Sequence, residues 1–186
     1  MLRTLPQTQN SGLVTRLSTI AIFTLLTVIS ARLRIEVGTA VPITLQTLVI
    51  MLAGLVLGSR DGAISQIAYL SLIAMNLPVD TRGLGIAAFA GPTAGFLIGF
   101  PVLAYVAGLF AERGGNKLWV RWLGGIAGTA VLYLFGATWL KLATGMEWPA
   151  VWINAVAPFI LVDMVKAIVA AALAEGGRTF IGRLSL

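Results

Sequence analysis

Between Pro158 and Ala174 the chain is apolar except for Asp163 and Lys166. On a helix, positions three apart share a face, so this acid and this base can meet. A lone charge at the centre of a bilayer costs ~2.5–3.5 kcal/mol on insertion scales, and an ionisable pair inside a span is by default a functional-site candidate. The simple alternative is a mutually satisfied structural ion pair. Such a pair adds little stability over well-packed apolar side chains. That it stands in an otherwise apolar run therefore favours a functional role.

Two other stretches carry polar groups where an apolar chain would not need them. In Val41-Pro42-Ile43-Thr44-Leu45-Gln46-Thr47-Leu48, Pro42 sets a break, and Thr44, Gln46 and Thr47 bring hydroxyls and an amide to a helix entry. Thr44 in this place also suits a plain N-cap. The connection from Asn76 to Gly85, continued by Ala90-Gly91-Pro92-Thr93-Ala94-Gly95, is long and marked by glycines, among them Gly83. Glycine permits close approach of backbone to a ligand, although an ordinary packed loop would look the same. No GxxxxGK[ST] follows a strand, so a nucleotide-hydrolysing motor is not expected in this chain. With no His and no Cys, imidazole catalysis, disulfides and zinc or haem ligation are outside its chemistry. Neither a cofactor nor an enzymatic activity is expected.

Apolar residues make up 58% of the 186 and charged residues 11%, less than half the usual charged share of a soluble domain. Mean hydropathy is +0.94. This composition predicts an all-α integral membrane protein, with residues 1–186 forming a single membrane domain. Six transmembrane helices are expected at 17–33, 43–57, 63–77, 93–110, 119–140 and 158–174, the second and third short for a bilayer of ~30 Å. Gly58-Ser59-Arg60-Asp61-Gly62 reads as a tight polar hairpin, and Glu112 to Lys117 as a second turn. Pro158 suits the first turn of the last span, and Trp148, Pro149 and Trp152 an interfacial belt or short surface helix. The polar residues 1–12 lack the pattern of a signal peptide.

The net charge of +6 is scattered singly between apolar runs, which fits membrane topology and gives no nucleic-acid surface. With the N-terminus inside, Arg3, Arg16, Arg60, Arg113, Lys117, Arg121, Arg178 and Arg183 fall on one side, against Arg32, Arg34, Arg82 and Lys141 on the other. Cytoplasmic loops hold the excess of Lys and Arg, so both termini are expected in the cytoplasm. The connections 34–42, 78–92 and 141–157 then lie outside, and irregular backbone there can line a cavity. Small-residue pairs such as Gly54/Gly58, Gly95/Gly99 and Gly124/Gly128 suit close packing of spans, within the bundle or against a partner.

Five motifs in order resemble one known family: Pro-Ile-Thr-Leu-Gln-Thr (42–47), Leu-Ala-Gly-Leu-Val-Leu-Gly (52–58), Leu-Pro-Val (77–79), Gly-Pro-Thr-Ala-Gly-Phe (91–96), and Asp163-x-x-Lys166 after Pro158-Phe159. The sequence is similar over residues 15–175 to the BioY family, the biotin-specific substrate-binding (S) components of energy-coupling-factor transporters. It departs from the family's usual pattern at Leu161-Val162, where Pro-Gly is common, and at Asp80, Arg82, Leu84 and Ile86. The resemblance implies an S-component bundle in the plasma membrane of a prokaryote. It also implies partners: a coupling transmembrane protein and ABC-type ATPase subunits, with the lipid bilayer around the chain.

Biotin offers ureido N–H donors, a ureido oxygen, an apolar ring and a carboxylate-ended chain. The expected roles are Asp163 accepting from a ureido N–H and Lys166 pairing with Asp163 or donating to the ureido oxygen. Gln46 and Thr44 complete the head-group site, and Asn76, Arg82 and Gly83 belong to the loop at the mouth. The alternatives are an S component for another vitamin, or an autonomous ion-coupled secondary transporter with Asp163 as proton relay.

Overall fold

The computed structural model describes residues 12–36, 38–114 and 117–184. The N-terminal stretch 1–11, with Arg3, and Gly115 and Asn116 of the expected second turn lie outside them. Seven α-helices occur among the described residues: α1 (Leu13–Arg32), α2 (Gln46–Leu57), α3 (Ser59–Ala74), α4 (Ala94–Gly114), α5 (Leu118–Thr144), α6 (Trp148–Ala155) and α7 (Ala157–Leu184). A two-stranded antiparallel ribbon, β1 (Arg34–Ile35) with β2 (Ile43–Thr44), joins α1 to α2. A short 3-10 helix, Gly85–Ala90, precedes α4.

Helix α4 is the centre of the bundle, packed on α5, α2 and α3, while α7 lies against α2 and α5, and α1 covers α3 and α2. Four segments are long and apolar enough to cross a membrane: Leu13–Arg32, Ala94–Gly114, Leu118–Thr144 and Trp148–Gly176. Helix α2 is apolar but has only 12 residues, and α3 carries Arg60 and Asp61 in its first turn. Leu17, Leu25, Ile29, Leu134, Leu161 and Ile168 stand more than half exposed on the outer surface. That is an arrangement for a hydrocarbon solvent, because a water-soluble monomer rarely exposes large contiguous apolar patches.

Alongside the helices expected as spans, 148–155 folds as the separate short helix α6, ended at Val156 just before α7 begins, where the sequence offers an interfacial belt or a short surface helix. Two expectations need correction. The second helix starts at Gln46, not at 43, because Ile43 and Thr44 pair with β1. The polar hairpin at 58–62 is not a hairpin. Its turn shrinks to Gly58, whose φ of 88° suits glycine, and α3 begins at Ser59. Glu112 at the end of α4 makes this possible by accepting the Ser59 N–H at 2.7 Å and its hydroxyl at 2.9 Å. A carboxylate supplied by another helix thus caps the exposed donors of α3.

Polar groups also tie α1 to α3. Thr24 donates to the Ser65 carbonyl at 3.0 Å, Gln66 donates to Thr27 at 3.3 Å, and Arg16 pairs with Asp61 at 2.5 Å. The glycine pairs serve the bundle itself: Gly54 lies against Ala104 and Gly108 of α4, Gly99 against α5, and Gly124 and Gly128 of α5 against α4. A Cβ at Gly54 would collide with the Ala104 carbonyl oxygen. Gly54→Val is therefore expected to lower stability by at least ~1–3 kcal/mol, the range for overpacking. Gly12→Ala, where a Cβ meets nothing within 4 Å, is expected to leave the melting temperature in detergent unchanged.

Candidate functional site

At the end of the bundle where α1 finishes and α2 begins, helices α2, α4, α5 and α7 and the 78–93 connection enclose a cavity. Its empty volume, open mouth included, is ≈ 830 Å³, of which ≈ 90 Å³ has room for the centre of a water-sized sphere. Its polar floor is Asp163 and Lys166 of α7 with Thr44 of β2, Thr47 of α2 and Tyr133 of α5. Phe96, Leu97, Phe100, Leu132 and Phe159 form apolar walls, and Arg82 stands exposed at the rim.

The floor is a nearly closed hydrogen-bond network. Lys166 donates to Asp163 Oδ1, to Thr47 Oγ1 and to the Thr44 carbonyl, each at 2.8 Å. An ammonium has three donors, so all of them are engaged. Thr47 in turn donates to Asp163 Oδ1 at 2.9 Å, and Tyr133 donates to Asp163 Oδ2 at 2.7 Å. A carboxylate offers about four lone-pair sites. Three are taken, and the remaining one is on Oδ2. Asp163 is 3% exposed and Lys166 7%, so the pair is buried, and its desolvation is balanced only because these neighbours complete it.

The wall above the floor is a braced loop. Buried Gln46 donates to the Tyr69 hydroxyl at 3.0 Å and accepts from Thr81 at 2.8 Å. Asp80 accepts the backbone N–H groups of Arg82 at 3.0 Å and Gly85 at 2.8 Å, an Asx-type turn that shapes the loop. Two arginines hold it from outside, Arg32 donating to the Pro78 carbonyl and Arg34 to the Thr81 carbonyl, and the loop's own Arg82 donates to Ala40 O at 3.4 Å.

Of the residues singled out in the sequence, Thr44, Gln46, Arg82, Asp163 and Lys166 line this one cavity. Asn76 and Gly83 stand behind the lining. Asn76, with φ 62°, accepts the Ile86 N–H at 3.3 Å, and Gly83, with φ 72°, donates to Asp80 O at 3.1 Å. Sequence reasoning passed over Tyr133 and the loop residues Asp80 and Thr81, and noted Thr47 without giving it a site role. A hydroxyl in the middle of an apolar span was the available signal for Tyr133. Asp80 and Thr81 act through loop geometry that no local pattern shows.

Fold and site together define a membrane-embedded helical bundle whose cavity has a charged floor, apolar walls and an arginine at its rim. Comparison with known proteins narrows this. The BioY family profile matches residues 4–183. A probable biotin transporter BioY of Pyrococcus horikoshii is 40% identical over 159 residues, 85% of this chain and 93% of that protein. The biotin transporter BioY of Rhizobium etli is 43% identical over 142 residues, 72% of this chain and 75% of its own. A solved crystal structure, the S-component for biotin from an ECF-type ABC transporter, superposes with a TM-score of 0.84 at 30% identity, covering 91% of this chain and 94% of that one. The chain belongs to the BioY family.

Removing one partner of a buried ion pair leaves an uncompensated charge, at a cost of ~3–5 kcal/mol, whereas replacing both with apolar groups is often neutral. Asp163→Ala is therefore expected to depress the thermal melting of the purified protein strongly. The double variant Asp163→Leu/Lys166→Met is expected to recover most of that loss, read by the same melting curve.

Proposed function

We propose that this chain captures biotin from outside a prokaryotic cell and carries it across the plasma membrane as the S component of an energy-coupling-factor transporter. The observation that carries the reading is the single open acceptor on Asp163, at the bottom of an apolar cavity with a cation at its rim. It is the complement of a ureido N–H, a hydrophobic ring and a carboxylate. The names of the relatives and the structural likeness support the same ligand.

In this reading α1 to α5 and α7 are six membrane passes, and α6 lies along the surface. Helix α2 rises only ~18 Å and α3 ~24 Å at 1.5 Å per residue, so the ribbon and the Gly58 turn complete their crossing. Six passes put both termini on one side, and the excess of Lys and Arg puts that side in the cytoplasm. The cavity then opens outward. The chain has no phosphate-cradling motif, so the energy for transport comes from a coupling transmembrane protein and ABC-type ATPase subunits.

Bound biotin donates a ureido N–H to Asp163 Oδ2, and Lys166 turns from the Thr44 carbonyl to the ureido oxygen. The ring lies among Phe96, Phe100 and Phe159, and the carboxylate meets Arg82. Gln46 acts by holding Thr81 over the ring, and Asn76 and Gly83 by shaping the loop. Charge-assisted hydrogen bonds contribute ~1.5–3 kcal/mol each. Asp163→Asn and Lys166→Met are thus expected to weaken labelled-biotin binding to folded, purified protein by about one to two orders of magnitude. Unchanged affinity in both contradicts the assigned roles. Arg82→Gln is expected to weaken biotin severalfold but leave the binding of its methyl ester, which has no carboxylate charge, as it is in the unaltered chain.

A further inference from the structure

A second hollow lies on the outside of the bundle, directly behind the ligand cavity. It is lined by Ala130, Leu134 and Ala137 of α5, by Trp148 and Trp152 of α6 and by Ile160 of α7. Ala130 and Ala137 are seven residues apart, so they fall on one face of α5, and their small side chains make the depression. Leu134 is 68% exposed and both tryptophans 53%. On a helix that lies in hydrocarbon, such a surface is covered by lipid chains.

The position of the hollow and a charge beside it suit one particular kind of lipid contact. From Ala130 to Lys141 the helix rises ~17 Å, about half of the ~30 Å hydrocarbon thickness. Lys141 therefore sits at headgroup depth when the hollow's floor is near the bilayer centre. Its ammonium lies 5.4 Å from the centre of the Trp148 ring, one of the residues that line the hollow, and donates to the Met146 carbonyl at 3.2 Å. A cation one turn beyond Ala137 and against Trp148, at the end of an apolar hollow lined by two tryptophans, complements a phosphate joined to an acyl chain.

Tyr133 lines both this hollow and the ligand cavity. It is the shared wall, and its hydroxyl holds Asp163 Oδ2. We propose that the hollow binds one anionic glycerophospholipid, its acyl chain along α5 and its phosphate on Lys141, and that this chain supports Tyr133 from the membrane side. The lipid site stands on the geometry alone, whereas its effect on ligand affinity rests on the biotin reading above.

The test has two arms. In the first, without biotin, the chain is loaded with phosphatidylglycerol or phosphatidylcholine, washed in detergent and weighed by native mass spectrometry. The unaltered chain is expected to keep one phosphatidylglycerol in preference to phosphatidylcholine. Lys141→Gln is expected to lower that preference by about fivefold, and Ala137→Phe, which fills the hollow, to abolish retention. If Lys141→Gln keeps the full preference, or Ala137→Phe, still folded, keeps the lipid, the site is overturned. In the second arm, biotin affinity of the delipidated chain is expected to rise at least about fivefold when phosphatidylglycerol is restored. A retained lipid with no effect on biotin affinity overturns the coupling through Tyr133. A chain that binds no biotin at all overturns the biotin reading and leaves the first arm standing.

Discussion

The structure depends on keeping two buried charges satisfied. Asp163 and Lys166 meet at 2.8 Å on one face of α7, and neither would be tolerated alone at that depth. Their remaining bonding capacity is met by α2, through Thr47 and the Thr44 carbonyl, and by α5, through Tyr133. Three helices are thereby fixed relative to one another by one ion pair. The same requirement accounts for the late start of α2. The Thr44 carbonyl belongs to the short ribbon, so it is not committed to a helical turn and is open to Lys166. Non-helical backbone at such depth is stable because it lines a cavity.

The two ends of the bundle use charge differently. Where α1 begins, Arg16–Asp61, Glu112 on the start of α3 and Arg121–Glu175 at 2.5 Å cross-link neighbouring helices. These bonds join rigid elements and close that end. At the site end, Arg32, Arg34 and Arg82 hold backbone carbonyls of loops. Outside the Asp163–Lys166 network, the arginine contacts at that end fasten irregular segments and do not join helix to helix. The mouth of the cavity is thus bounded by loop contacts, whereas the opposite end is closed by ion pairs and caps between helices.

Most of the bundle could be read from the chain because the apolar runs are long and the breaks are marked by glycine, proline and charge. The errors came where tertiary contacts override a local pattern. Gly58 to Gly62 looks like a turn until Glu112 arrives from α4 to cap it. Ile43 looks helical until β1 pairs with it. At the site, Asp163 and Lys166 were legible because charge in an apolar run is conspicuous. Tyr133 was not, because a tyrosine in a span is common and its partner lies 30 residues away. Asn76 and Gly83 show the opposite case: a polar side chain and a glycine in the right loop, whose bonds turn inward to the loop itself.

The central claim is that the open lone pair on Asp163 Oδ2 is the place where the ligand is recognised. A structure of the purified chain with biotin bound measures this directly. The account predicts a ureido nitrogen within hydrogen-bond distance of Asp163 Oδ2, with the ring between Phe96, Phe100 and Phe159 and the carboxylate toward Arg82. Biotin seated elsewhere, or seated in the cavity with Asp163 still bonded only to Thr47, Tyr133 and Lys166, would contradict it.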